Sequence, residues 1–276
     1  MDFYLKKLLP SLYSVTDIAG THCFLVTGTK KAALIDTGIG FGSLKSYIRE
    51  ITDLPLIVIG THGHLDHMGG SREFDKVYLN SKDFSLAYQQ NIGERFNYAR
   101  NMYEMLNKES QWSVKMGDFL PVKTSGYAAL EMIETFNLGN VTLRPLPLPG
   151  HTQGSEAILL EEARTIIFGD ACNPGVFLFD ETASTVDQYR MTLEKFKRAY
   201  EKFYDRVIVS HGEEFIDKVI LDNTIDVCRE ILEGSDDHIP VLFHGRQAYS
   251  AKKTGAFGKR LDGKIGNILY DPKKIY

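Results

Sequence analysis

The sequence predicts an α/β fold of four layers, αββα, in which two β-sheets pack face to face and helices cover both outer sides. Three observations predict it. Short apolar, β-branched runs recur along the chain, as buried strands do. Amphipathic helical stretches follow groups of these runs, so that strands-then-helix occurs twice. Histidines or acids stand beside glycine just past several of the runs, where loops are held still by the strands behind them. A length of 276 residues accommodates one such domain over 1–276, with a helical insertion at about 81–119.

In chain order, Phe24-Leu25-Val26 and Ala32-Ala33-Leu34-Ile35 read as strands joined by a hairpin turn over 27–31. Asp36-Thr37-Gly38 ends the second strand. A helix is expected over 43–51, and Leu56-Ile57-Val58-Ile59 is a buried strand. Residues 81–119 differ in character. Phe84, Tyr88, Phe96, Tyr98, Trp112 and Phe119 crowd a stretch otherwise rich in helix-favouring polar residues. Two helices are expected there, their aromatics packing on the main body, capping a site, or doing both. Strand signals return at 141–146, 156–160 and 165–168. Ser184 and Asp187 suggest a capping-box start, after which Val186, Tyr189, Leu193, Phe196, Tyr200 and Phe203 recur at steps of three and four as one apolar face. A strand at 206–210, an amphipathic helix over 215–232 stopped by Gly234, and a last strand at 265–270 complete the chain.

The chemistry concentrates in residues 61–70, Thr-His-Gly-His-Leu-Asp-His-Met-Gly-Gly. Three imidazoles and a carboxylate within positions 62–67 serve no hydrophobic core, but they are the preferred ligands of zinc and its neighbours. The cluster begins where the Leu56–Ile59 run stops, and Gly69-Gly70 let the backbone turn tightly past it. His151 follows Pro149-Gly150, Asp170 follows Phe168-Gly169, and His211 precedes Gly212. Five of the eight histidines therefore fall in loops of one kind.

A formal net charge of −4 argues against a general nucleic-acid binder. The three cysteines, Cys23, Cys172 and Cys228, are scattered and suggest no disulfide framework. A reducing compartment follows, so a cytoplasmic location is expected. No run approaches the roughly 20 apolar residues that span a bilayer, and the N-terminal Leu8-Leu9-Pro10 is too short for a signal-peptide core. The expected partner is a small-molecule substrate, with no nucleic acid and no membrane.

In order along the chain, His62-Gly63-His64-Leu65-Asp66-His67, Pro149-Gly150-His151-Thr152, Phe168-Gly169-Asp170 and Ser210-His211-Gly212 resemble the recurring motifs of the metallo-β-lactamase-fold superfamily of hydrolases. The resemblance spans most of the chain, from Phe24-Leu25-Val26 to Asn267-Ile268-Leu269-Tyr270. It implies two divalent metal ions, zinc foremost, with iron or manganese as alternatives. His62, His64 and His151 would hold the first; Asp66, His67 and His211 the second; Asp170 would bridge them. Asp170 stands where zinc β-lactamases proper commonly carry cysteine, and His64 where flavo-diiron proteins usually carry glutamate. The implied reaction is hydrolysis by a bridging hydroxide, with Asp66 orienting it and taking its proton.

Resemblance to glyoxalase II-like and lactonase-like members puts an ester, thioester or lactone carbonyl first. Two departures leave the branch open. Asn173 stands where acyl-homoserine lactonases usually carry tyrosine, and the stretch from His67 to His151 is longer than in glyoxalase II. A phosphodiester is the second reading, because Arg246, Lys252, Lys253, Lys259, Arg260 and Lys264 are available to hold an anion. A β-lactam comes third. A reading of another class is a mono-iron persulfide dioxygenase-like or non-hydrolytic metal-binding protein, for which seven intact ligands are more than needed. Asp36 is expected to buttress the metal loop by hydrogen bonds. Cys172 and Asn173, in the loop after the bridging acid, and His244 are candidates for contacts to metal ligands or substrate.

Overall fold

Strand alternation sets the layers. Along β3 (His22–Thr27), Phe24 and Val26 point into the space between two sheets, while Cys23 and Leu25 point outward under helices. The same division holds along β4 (Ala32–Ile35), where Ala33 and Ile35 face inward and Ala32 and Leu34 outward. The computed structural model describes residues 2–106, 112–243, 246–255 and 258–276.

The first sheet has seven strands in sequence order: β1 (Tyr4–Leu9), β2 (Leu12–Thr16), β3, β4, β5 (Leu56–Ile59), β6 (Val77–Leu79) and β7 (Tyr127–Ala129). The pairs from β1 to β4 are antiparallel and those from β4 to β7 parallel. The second sheet comprises β8 (Phe136–Asn137), β9 (Thr142–Pro147), β10 (Glu156–Leu160) and β11 (Thr165–Gly169), then β13 (Arg206–Val209) and β14 (Phe215–Ile216). Ile158, Leu160, Ile167 and Ile208 meet Phe24, Val26, Ile35 and Ile59 in the central core.

Helix α1 (Leu44–Ile51) covers the outer face of the first sheet through Leu44 and Ile48. Ser43 caps it by accepting from Ser46 N. A short α2 (Leu65–Met68) follows β5, and α3 (Phe84–Tyr88) and α4 (Ile92–Leu106) lie between β6 and β7. Helices α5 (Val186–Tyr200) and α6 (Ile220–Glu233) cover the second sheet, with Tyr189, Leu193, Phe196, Ile225 and Cys228 packed on Phe168, Val207 and Val209. The arrangement is the four-layer αββα sandwich the sequence predicts.

Several boundaries differ from expectation for identifiable reasons. Helix α5 is capped by Thr185 with Gln188, not by Ser184 with Asp187. Ser184 is engaged elsewhere: its N–H donates to Gly150 O at 2.8 Å and its hydroxyl meets Gln153 Nε2 at 3.1 Å. Helix α6 starts at Ile220 because Phe215 and Ile216 pair with β13 as a separate strand. Past β12 (Val176–Leu178), a third sheet of order β12-β17-β16-β15 joins that strand to the C-terminal segment, through β15 (Ile239–Phe243), β16 (Arg246–Ser250) and β17 (Ile268–Tyr270). The last strand is thus shorter than 265–270. Among the described residues no helix is long and apolar enough to cross a membrane.

Candidate metal centre

The parallel strands β4 and β5 end side by side, and the loops leaving them build one half of the centre. Past β5, His62 lies in a bend and His64 on extended backbone, where it begins α2, whose single turn carries Asp66 and His67. The two glycines after this turn are required by close approach. A Cβ on Gly69 would stand 2.3 Å from Ile39 O, and one on Gly70 would stand 2.2 Å from Thr37 O. Thr37 N in turn donates to His67 O at 2.7 Å. The other half comes from the second sheet: His151 follows β9, Asp170 follows β11 and His211 follows β13. A bridge between Thr21 and His211, with His22 N donating to Ser210 O at 2.9 Å, stitches the two sheets together at this end.

The seven side chains converge. His62 Nε2 lies 3.1 Å from His64 Nδ1, which lies 2.9 Å from His151 Nε2. Asp66 Oδ2 lies 3.4 Å from His211 Nε2 and 3.6 Å from His67 Nε2. Asp170 Oδ2 stands between the two groups, 3.3 Å from His211 Nε2, 3.4 Å from His67 Nε2 and 3.9 Å from His151 Nε2. Four ligands about 2.0–2.1 Å from a tetrahedral ion are separated by about 3.3 Å, so these spacings suit coordination spheres. His67 Nε2 and Asp170 Oδ1 are buried with no hydrogen-bond partner. Such orphaned atoms are costly unless something binds them, and a donor set of imidazole and carboxylate fits a divalent cation.

The far side of three rings, His62, His67 and His151, is held so that a lone pair faces inward. Asp36 has φ +63°, a left-handed conformation that aspartate tolerates better than most residues. From there its carboxylate meets His67 Nδ1 at 2.8 Å and accepts from Thr61 N at 2.7 Å and Thr61 Oγ1 at 2.8 Å. Thr61 Oγ1, having donated to Asp36, accepts from His62 Nδ1 at 3.1 Å. His151 Nδ1 donates to Phe177 O at 3.0 Å.

Electrostatics divide the rings. Burial pushes His62 well below the ordinary imidazole range and His64 down to about 3, so both stay neutral as ligands require. Burial also pulls on His67 and His211, but the Asp66 and Asp170 carboxylates outweigh it, raising His211 to about 10 and His67 well above its usual value. The two acids are held low by these same rings against the opposing effect of burial. This pair of carboxylates demands positive charge at one point, which a divalent cation supplies.

Three residues of the site carry no motif in the sequence. Asp83, at the start of α3, accepts from Gly63 N at 2.9 Å, Gly154 N at 2.9 Å and Thr152 Oγ1 at 2.6 Å, clamping the His62–His64 loop to the His151 loop. Tyr98 on α4 donates to Asp66 Oδ2 at 3.0 Å, and Thr21 Oγ1 reaches the same oxygen at 3.4 Å. Cys172 and Asn173 are placed differently from the seven converging side chains and Asp36. The Cys172 side chain is buried in the core under α5 and α6, 3.8 Å from Thr224 Oγ1, and burial pushes its thiol up to about 12. Asn173 turns back on its own loop, accepting from Gly175 N at 2.9 Å. His244 lies outside the described residues.

The chain is 24% identical over 204 residues to the acyl-coenzyme A thioesterase MBLAC2 of Gallus gallus, covering 70% of this chain and 73% of that protein. It is 24% identical over 177 residues to Glyoxylase B2 of Dictyostelium discoideum, covering 59% of this chain and 54% of that one. A solved metallo-beta-lactamase from Pontibacter korlensis shares the fold, with a TM-score of 0.55 at 17% identity over 82% of this chain and 98% of the other. The family model of the metallo-beta-lactamase superfamily matches residues 17–211, a span that holds all seven converging side chains, and the chain belongs to that superfamily.

Proposed function

We propose that this enzyme, a hydrolase by family, cleaves thioesters and related carboxylic esters of small molecules at a centre of two divalent metal ions. The observation that carries the reading is the convergence of His62, His64 and His151 on one side and Asp66, His67 and His211 on the other, with Asp170 facing both. Zinc suits this nitrogen-and-oxygen set, and iron or manganese are the alternatives that metal analysis separates. When bound, such metals polarise a carbonyl and make water acidic enough to ionise near neutral pH. The chain's own residues do the rest. His62 and His64 present neutral nitrogens, and His151 turns Nε2 inward with its Nδ1 on Phe177 O. On this reading Asp66 orients the attacking water and takes its proton. Asp36 and Thr61 keep His62 and His67 in the tautomers that leave inward lone pairs.

Two observations support a carbonyl substrate. Relatives bear the names acyl-coenzyme A thioesterase and glyoxylase. Leu65 and Tyr98, which flank Asp66, pack with Ile18, Phe41 and Met102 on Ala19, Ile39, Ala99 and Phe119, so apolar surface adjoins this carboxylate, as an acyl substrate requires. The phosphodiester reading has less support, because much of the basic segment is already neutralised. Arg246 pairs with Asp180, Lys252 with Glu230, and Arg260 with Asp262. We read residues 1–276 as one domain with 81–119 inserted, and three buried free cysteines fit a reducing compartment, the cytoplasm.

The test is hydrolysis of an acyl-coenzyme A thioester, a lactone, a β-lactam and bis(p-nitrophenyl) phosphate by enzyme stripped of metal and reloaded with zinc, manganese or iron. About two metals per chain and thioester cleavage restored by reloading support the reading. One iron per chain without hydrolysis, or faster cleavage of the phosphodiester, overturns it.

A further inference from the structure

Helix α4 contributes two polar side chains to the neighbourhood of α2, one at each end of that short helix. Tyr98 OH donates to Asp66 Oδ2 at 3.0 Å, the same oxygen that faces His211 Nε2 at 3.4 Å and His67 Nε2 at 3.6 Å. Three residues earlier, on the same helical face, Arg95 is fully buried. Its guanidinium donates to Gly69 O at 2.8 Å and Ile39 O at 3.4 Å, and also to Leu120 O. Gly69 ends α2, the helix that carries Asp66 and His67. Leu65, at the start of α2, packs in one apolar cluster with Phe96, Tyr98 and Met102.

We propose that Tyr98 is a positioning residue of the metal centre. Its phenol fixes the Asp66 carboxylate so that Oδ2 is the oxygen offered to the group formed with His67 and His211. Arg95 sets the register that makes this contact. A carboxylate on a short side chain rotates freely, and either of its oxygens then faces the cation. The phenol at 3.0 Å, the shorter of two contacts on Oδ2 beside Thr21 Oγ1 at 3.4 Å, removes that freedom, as partners behind a metal ligand commonly do. The guanidinium has a rigid fork of donors. Spread over the carbonyls of Gly69, Ile39 and Leu120, it ties α4 to the metal loop and to the chain after β4. The helices between β6 and β7 are then part of the centre's construction as well as cover for it.

The inference rests on the two-metal reading, and the experiment separates the two. Wild type, Tyr98→Phe and the control Tyr103→Phe, whose ring packs on Trp112 further along α4, are stripped and titrated with cobalt(II). The visible spectrum and chelator competition report each subsite, and thioester turnover follows on the zinc-loaded forms. In Tyr98→Phe, affinity at one subsite falls about ten- to hundred-fold while the other keeps its affinity, and kcat falls at near-constant KM. Tyr103→Phe behaves as wild type. If wild type takes only one cobalt, the two-metal reading fails and the inference with it. If wild type takes two and Tyr98→Phe matches it at both subsites, the inference alone is overturned. Equal weakening of both subsites with a lowered melting temperature also overturns it, since that is the mark of a general packing role.

Discussion

Asp36 Oδ2 and His67 Nδ1 lie 2.8 Å apart with both side chains fully buried. The same carboxylate also accepts both donors of Thr61, so it is acceptor-only at three contacts. Asn at this position has nearly the same shape but one of its ends must donate. Asp36→Asn therefore sets an N–H against Thr61 N–H, or against Thr61 Oγ1 and His67 Nδ1. Metal affinity is expected to fall about ten- to hundred-fold, measured by competition with a chromophoric chelator. Unchanged affinity would show that this contact does not set the His67 tautomer.

His64→Ala and Asp170→Ala differ in what they remove. His64 belongs to one ligand group, whereas Asp170 Oδ2 faces both. Elemental analysis of His64→Ala is expected to show the first metal lost, and of Asp170→Ala both metals weakened. Thioester hydrolysis is expected to fall by at least a thousandfold in each, on the order of several kcal/mol in the barrier. A variant holding two metals per chain at full turnover would sink the ligand assignment.

Glu156 gives a pH signature away from the ligands. Burial raises its carboxyl from 4.5 to about 7, against the opposing hydrogen bond from Asn80 Nδ2 at 2.7 Å. The folded protein thus holds a proton that the unfolded chain releases at lower pH. The group's stabilising contribution is full below pH 4.5 and is lost as pH rises through about 7. Glu156→Gln mimics the protonated acid. Its melting temperature should match wild type near pH 4.5 and exceed it near pH 8, by an amount corresponding to at most about 3 kcal/mol. Parallel pH profiles for the two proteins would refute the shift.

Gly70→Ala tests the turn behind the ligands. A Cβ there meets Thr37 O at 2.2 Å, and backbone must move to admit it. A loss of about 1–3 kcal/mol is expected in urea unfolding, with reduced metal content. Gly117→Ala, where a Cβ meets nothing within 4 Å, should stay within about 0.5 kcal/mol. Equal behaviour of the two variants would contradict the close approach.

The residues that converge were legible because His62 and His64 flank Gly63 just past β5, His151, Asp170 and His211 each stand beside glycine past a strand, and Asp66 and His67 follow within the same short run; this local pattern needs no knowledge of the distant chain. Tyr98 was not. It sits in a stretch with so many aromatic residues that nothing local separates the ring on the metal loop from those on Trp112 or Phe119. Asp83 is a lone acid whose three donors come from residues 63, 152 and 154, and only tertiary packing joins them. Ser184 and Thr185 are adjacent candidates for one cap, and the choice between them is made by Gly150, far away in sequence. Strand β1 escaped notice because it carries Lys6 and Lys7 and is largely exposed, so it lacks the apolar alternation of a buried strand.

The seven converging side chains divide between the two sheets. His62, His64, Asp66 and His67 leave the first, and His151, Asp170 and His211 leave the second. On the proposed two-metal reading, ions bound there would rivet the sandwich at this end, and parting the layers would break coordinate bonds from both sheets at once. A stability measured without metal would then describe a looser object than the loaded protein.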